Sequence, residues 1–216
     1  MIKTNSSASF FHNIFPEGFA GEVMHLILQT WNNDLHLQEN VRHETCITAV
    51  FRDALIDAYE KTGRNWFITL EEPITDPNTG QEQRRNDLRF YPPAHHGQRI
   101  FFTVECKRLN VSTASGFSSL ISEYINEGMM RFVTEAYSHN HPKGGMIGYV
   151  MDANVVKAMT RLKDKITENS NRLQLCPQQG TKIPSSILKD YPYSVDTYHT
   201  RTSGKFVIHH LLLGLM

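Results

Sequence analysis

Glu105, Cys106 and Lys107 close the most apolar run in the chain, RIFFTVECKRL. Side chains alternate along a strand, so Glu105 and Lys107 project from one face while Val104 and Cys106 project from the other. A carboxylate and an ammonium at the end of a buried strand are costly unless they pair or meet a metal. Asp87 opens an earlier alternating run, with Leu88 and Phe90 on one face and Asp87, Arg89 and Tyr91 on the other, until Pro92-Pro93 stops it. The intervening loop is long enough for the two runs to be neighbours in one sheet, which would bring Asp87 and Glu105 together. Oxygen ligands of this kind suit a hard divalent cation such as Mg2+, which keeps several waters and completes its octahedron with phosphate oxygens. A phosphodiester is the natural substrate for such a centre.

Glu44 adds a further carboxylate. Steps of three and four place it on one helical face with Val41, Ile47, Phe51, Leu55 and Ala58. On a helix packed against the sheet it would point toward Asp87 and Glu105 and hold a metal-bound water or a second ion. Arg84, Arg85, Arg89 and Arg108, with the RLNVSTASGFSS segment, would grip backbone phosphates, the usual sequence-independent anchor. The same arginines also suit a solvated surface.

The elements that must position these groups can be read from periodicity. Residues 1 to about 20 read as an irregular arm before a short helix near Gly21 to Trp31, and an amphipathic helix follows from about Val41 to Lys61. The run WFITL predicts a strand, and Pro73, Asp76, Pro77, Asn78 and Gly80 predict a turn. After a turn at His95-His96-Gly97, the apolar run ending in Glu105 and Lys107 predicts the middle of a sheet, covered on both sides. A helix is expected from Phe117 to Tyr137, a turn at Gly144-Gly145 and a strand at MIGYVM, together a crossover unit with parallel strands. Asn154 is the expected N-cap of a last helix through about Glu168. KFVIHHLLL predicts a C-terminal strand after a Ser203-Gly204 turn.

Composition narrows the function classes. The 216 residues carry 22 Lys plus Arg against 22 Asp plus Glu, so any nucleic-acid site must be a local patch. Cys46, Cys106 and Cys176 are too far apart for a disulfide framework or a cysteine zinc site, which points to a reducing cytoplasm. No apolar run predicts export or a membrane span. The pairs His95-His96, His139 with His141, and His209-His210 lack zinc-motif spacing and read as structural or surface histidines. Whether His199 and Arg201 reach the site is left open.

Glu44 on a helix, then Asp87, then Glu105-Cys106-Lys107 on a strand, then a helix, resembles the PD-(D/E)xK restriction-endonuclease superfamily over about Arg42 to Met151. The resemblance implies an α/β fold, with a mixed β-sheet core flanked by helices in a domain spanning 41–216 after an arm and short helix in 1–40. It makes Asp87, Glu105 and the Cys106 backbone carbonyl ligands of Mg2+, with Mn2+ as a substitute. It gives Lys107 the orienting or activation of the attacking water and makes Glu44 the helix carboxylate of the catalytic and metal-binding set. Asn86 stands where the motif has its proline, its loosest position. The activity implied is metal-dependent phosphodiester hydrolysis, that of a DNA endonuclease in restriction, anti-phage defence or repair. The alternative is a nuclease-fold subunit that binds DNA or partner proteins within a larger complex, and an RNA substrate is a third reading. A homodimer or a protein partner is also implied, because cutting two strands needs two sites or two visits.

Overall fold

The structure, a computed structural model, describes residues 15–33, 35, 42–63, 66–75, 82–93, 100–138, 141–177 and 183–215, with the side chains of 71–75, 82–86 and 113 not described. The expected arm up to residue 14, Val41, the turn residues 76–80, the His95-His96-Gly97 turn, His139 and the side chains of Arg84 and Arg85 lie outside the described residues.

A seven-stranded mixed sheet forms the frame. Its strands are β1 (Phe67–Thr75), β2 (Glu82–Tyr91), β3 (Phe102–Leu109), β6 (Lys143–Val150), β7 (Ile183–Pro184), β8 (Ser194–Arg201) and β9 (Gly204–Gly214), in the order β1-β2-β3-β6-β9-β8-β7. The strands β4 (Val111–Thr113) and β5 (Gly116–Ser118) form a separate hairpin. β3, β6 and β9 run parallel, and the other pairs are antiparallel. Parallel strands need cover on both faces, and β3 and β6 are buried along almost their whole length.

Helices supply that cover. On one face lie α1 (Phe19–Asn33) and α2 (Glu44–Glu60), whose Val23, Ile27, Ile47, Phe51 and Leu55 pack with Phe102, Val104, Cys106 and Leu211. On the other lie α3, which runs as Ile121–Glu123, a π-helical stretch Tyr124–Met129 and Met130–Val133, and α4 (Val155–Glu168). Their Ile125, Phe132, Ala158 and Leu162 pack with Leu109, Val150 and Leu212. The fold class is therefore α/β, with helices on both faces of one mixed sheet. Asn154 caps α4 as expected, its side chain accepting from the Lys157 amide.

Several expectations are revised. β2 begins at Glu82 rather than Asp87, and it pairs with β3 only through Leu88, Arg89 and Phe90. Among the described residues its first half pairs with β1 only, and its sequence EQRRN carries no apolar alternation. β1 runs through Pro73, which is compatible with its place at the edge of the sheet, where a strand is paired on one side only. The central strand is β6, and β3 is its neighbour. Gly144 and Gly145 lie inside β6 rather than in a turn, because helix and sheet side chains occupy the space a Cβ would need. The helix predicted from Phe117 starts at Ile121, since Phe117 belongs to the β4–β5 hairpin and Leu120, at φ 52°, turns the chain.

A run of buried hydrogen bonds ties α3 to β8 and β9. His199 Nδ1 lies 2.6 Å from the Leu173 carbonyl, which only accepts, so this nitrogen is the donor. Thr197 then donates to His199 Nε2, His210 Nε2 donates to Thr197, and the Tyr124 hydroxyl donates to His210 Nδ1. One consistent sense of donation satisfies both rings in their neutral form.

Candidate active site

Where β2 leaves β3, the backbone ladder between them stops. One position beyond the Leu88–Val104 pair, Asp87 comes level with Glu105, and its Oδ2 accepts from the Cys106 amide at 2.7 Å in place of a strand carbonyl. Divergence of the strands thus holds Asp87 beside Glu105.

Glu105 is fully buried beneath α3 and meets two cations through a single oxygen. Oε1 lies 2.8 Å from Lys107 Nζ and 2.5 Å from Arg131 Nη1, while Oε2 is buried without a hydrogen-bond partner among the described residues. Burial and then the Asp87 carboxylate push the Glu105 carboxyl up to about 8 against the pull of Lys107 and Arg131. Burial also raises Asp87 above the ordinary carboxylate range. For Lys107 burial acts downward, but Glu105, Asp87 and Glu44 together outweigh it and hold the ammonium above its usual value. Burial pushes the Cys106 thiol well up, so it stays protonated and is no nucleophile.

Lys107 Nζ has three acceptors: Glu105 Oε1, the Cys106 carbonyl at 2.9 Å and Glu44 Oε1 at 3.1 Å. Glu44, at the first turn of α2, also accepts from the Arg108 amide through Oε2 at 2.8 Å. The helix carboxylate therefore reaches the site from the opposite face, around the end of β3, and both its oxygens are engaged by Lys107 and the β3 backbone.

The structure brings together Asp87, Glu105, Lys107 and Glu44 from the sequence-derived set, with the Cys106 carbonyl among them. It places the described arginines elsewhere. Arg89 donates to the Tyr91 hydroxyl and lies over the Phe101 ring, and Arg108 donates to the Arg42 carbonyl. His199 belongs to the buried run described above. Arg201 donates to the carbonyls of Phe132, Ser138 and His141, pinning the segment after α3 in which Glu135 and Ser138 adopt positive φ.

Arg131 and Tyr137 are site residues that the sequence reading missed. Arg131 Nη1 bridges Glu105 and the Tyr137 hydroxyl, the latter at 2.8 Å. The available signal was Gly128, one turn earlier in an otherwise apolar stripe. A Cβ there would sit 2.4 Å from Met146 Cε and 3.8 Å from Lys107 Cγ, so the glycine marks where α3 descends onto the site.

Among the described residues no group of three or more His, Cys, Asp or Glu side chains converges as a metal cage. The donor set present nevertheless fits a hard divalent cation. It consists of oxygens only, it holds a buried carboxylate oxygen without a partner, and three carboxylates stand against two cations. Two carboxylates and a carbonyl leave the rest of an octahedral shell to water and substrate oxygens, as Mg2+ prefers.

Comparison with protein-family models, with curated proteins and with solved structures gives no match for this chain.

Proposed function

We propose that this protein is a divalent-metal-dependent nuclease of the PD-(D/E)xK type, a DNA endonuclease acting in restriction, anti-phage defence or repair. The observation that carries the reading is the pair of carboxylates, half-buried Asp87 and fully buried Glu105, set side by side where β2 leaves β3, with Lys107 between Glu105 and Glu44. Structural ion pairs seldom leave a buried carboxylate oxygen such as Glu105 Oε2 without a partner, because each such atom costs about 1–3 kcal/mol. The α/β core with helices on both faces of a mixed sheet supports the same reading.

Asp87, Glu105 and the Cys106 carbonyl would hold Mg2+, or Mn2+ in its place. The cation, when bound, lowers the pKa of water and offsets charge growing on the phosphate. Lys107 is placed to orient the attacking water, and Glu44 fixes Lys107 from the far side of the strand. Glu105 itself has no exposed surface beneath α3, which keeps bulk water from it.

The test is cleavage of plasmid, linear duplex, single-stranded DNA and RNA by wild type, Asp87→Asn and Lys107→Ala, each with Mg2+, Mn2+ or EDTA. Metal-dependent cutting by wild type and a loss of at least about 10²-fold in both variants is the expected result. Cutting that survives in both variants would remove the assignment. DNA retention without cutting would turn it into a binding subunit.

A further inference from the structure

Within the nuclease reading, we infer that Arg131 is the group that grips the substrate phosphodiester, a catalytic residue supplied by α3 rather than by the strands that carry the carboxylates. The three acceptors of Lys107 match the three protons of its ammonium, and the donor that would be freed if a cation took the Cys106 carbonyl is the one that would serve the attacking water, which leaves none for the phosphodiester. Arg131 is built differently. Its Nη1 is anchored on both Glu105 and Tyr137, whereas Nε and Nη2 make no hydrogen bond among the described residues.

The side chain is 26% exposed, against 9% for Lys107 and none for Glu105, so it stands at the solvent side of the cluster. The free Nε–Nη2 edge of a guanidinium is the planar, two-donor fork that matches two oxygens of one phosphate. One edge is thus tied to the carboxylate that would hold the cation, and the other is open toward substrate. Tyr137 fixes the plane, with the guanidinium carbon 5.4 Å from its ring centroid. A phosphodiester seated there would lie next to Glu105, where the cation's charge is also needed.

Three measurements on wild type, Arg131→Ala and Arg131→Lys decide this. The first is the salt dependence of binding of a fluorescein-labelled duplex oligonucleotide in EDTA. The second is Mn2+ affinity without DNA, and the third is the single-turnover cleavage rate. Arg131→Ala is expected to lower the slope of log K against log salt by about one phosphate contact and the cleavage rate by about 10²-fold or more. Its Mn2+ affinity should be unchanged or tighter, because removing a cation leaves the carboxylates more negative. Arg131→Lys should restore the salt slope but not the rate, since an ammonium lacks the fork.

A loss of Mn2+ affinity in step with activity would overturn the inference and make Arg131 a positioning residue for Glu105. An Arg131→Ala variant with the wild-type salt slope would overturn it as well. If wild type neither cuts nor binds Mn2+, the nuclease reading fails, while the salt slope in EDTA still decides whether Arg131 holds phosphate.

Discussion

Glu105 has no exposed surface, sits beside a second carboxylate and has two cations on one oxygen, with its other oxygen left over. Asp87 completes this arrangement by substituting a side chain for a strand carbonyl at the Cys106 amide. Asparagine at position 87 would keep an acceptor for that amide while removing the negative charge, so it separates the structural role from the ionic one. Saturating Mn2+ at about 100 Kd stabilises a site that forms only in the folded state by roughly 2.7 kcal/mol, or about 5–10 °C in Tm for a chain of this size. Wild type should show this rise in a thermal melt and Asp87→Asn should show little of it, with both melting alike in EDTA. Equal rises in the two proteins would place the metal elsewhere.

At the scale of elements, β6 and α3 decide how closely the helix lies on the strand that bears Lys107. β6 carries three glycines, and side chains from both faces fill the space their missing Cβ atoms leave. A Cβ at Gly144 would lie 2.6 and 2.9 Å from ring atoms of Phe132 and 3.1 Å from Phe206, two rings already stacked with centroids 5.7 Å apart. Phe132 belongs to α3, so its ring yields only at the expense of the helix's seat on β6. Gly144→Ala should therefore cost about 1–3 kcal/mol in urea unfolding, the usual range for overpacking a filled core. It should also lower activity, because Phe132 follows Arg131 directly. Gly128→Ala meets the flexible end of Met146 and should cost less. The reverse order of costs would show that α3 is not seated on β6 in this way.

The whole molecule is tied across its layers by buried polar groups as well as by the two apolar cores. Burial pulls His199 down to about 4 and His210 to about 3, both from 6.5, and the donation run from Tyr124 to the Leu173 carbonyl requires both rings neutral. The unfolded chain takes up protons on these rings below 6.5 while the folded one does not. The stability they contribute is thus intact above 6.5 and is lost as pH falls through about 4 and then 3. The slope is up to about 1.4 kcal/mol per histidine per unit. Glu105, raised to about 8, acts with the opposite sign over this range and is common to both proteins, so the stability difference in urea between wild type and His210→Asn should shrink from pH 7.5 to 6 to 5. An equal slope in the variant would remove His210 from the account.

Asp87, Glu105, Lys107 and Glu44 were legible in the sequence for a local reason. Alternation along a strand and the 3.6-residue period of a helix assign a side chain to a face without reference to the rest of the fold, and charges on an apolar face stand out. The α/β class followed from the same periodicities. Arg131 and Tyr137 were not legible. Their position over Glu105 depends on the π-helical register of α3, on the glycines beneath it and on Arg201 holding the segment that follows. Nor was it legible that Glu44 spends both oxygens on Lys107 and the Arg108 amide, since that depends on where the first turn of α2 meets the end of β3. Sequence periodicity fixes the face a residue occupies, whereas the depth and angle at which one element crosses another come from packing between residues far apart in the chain.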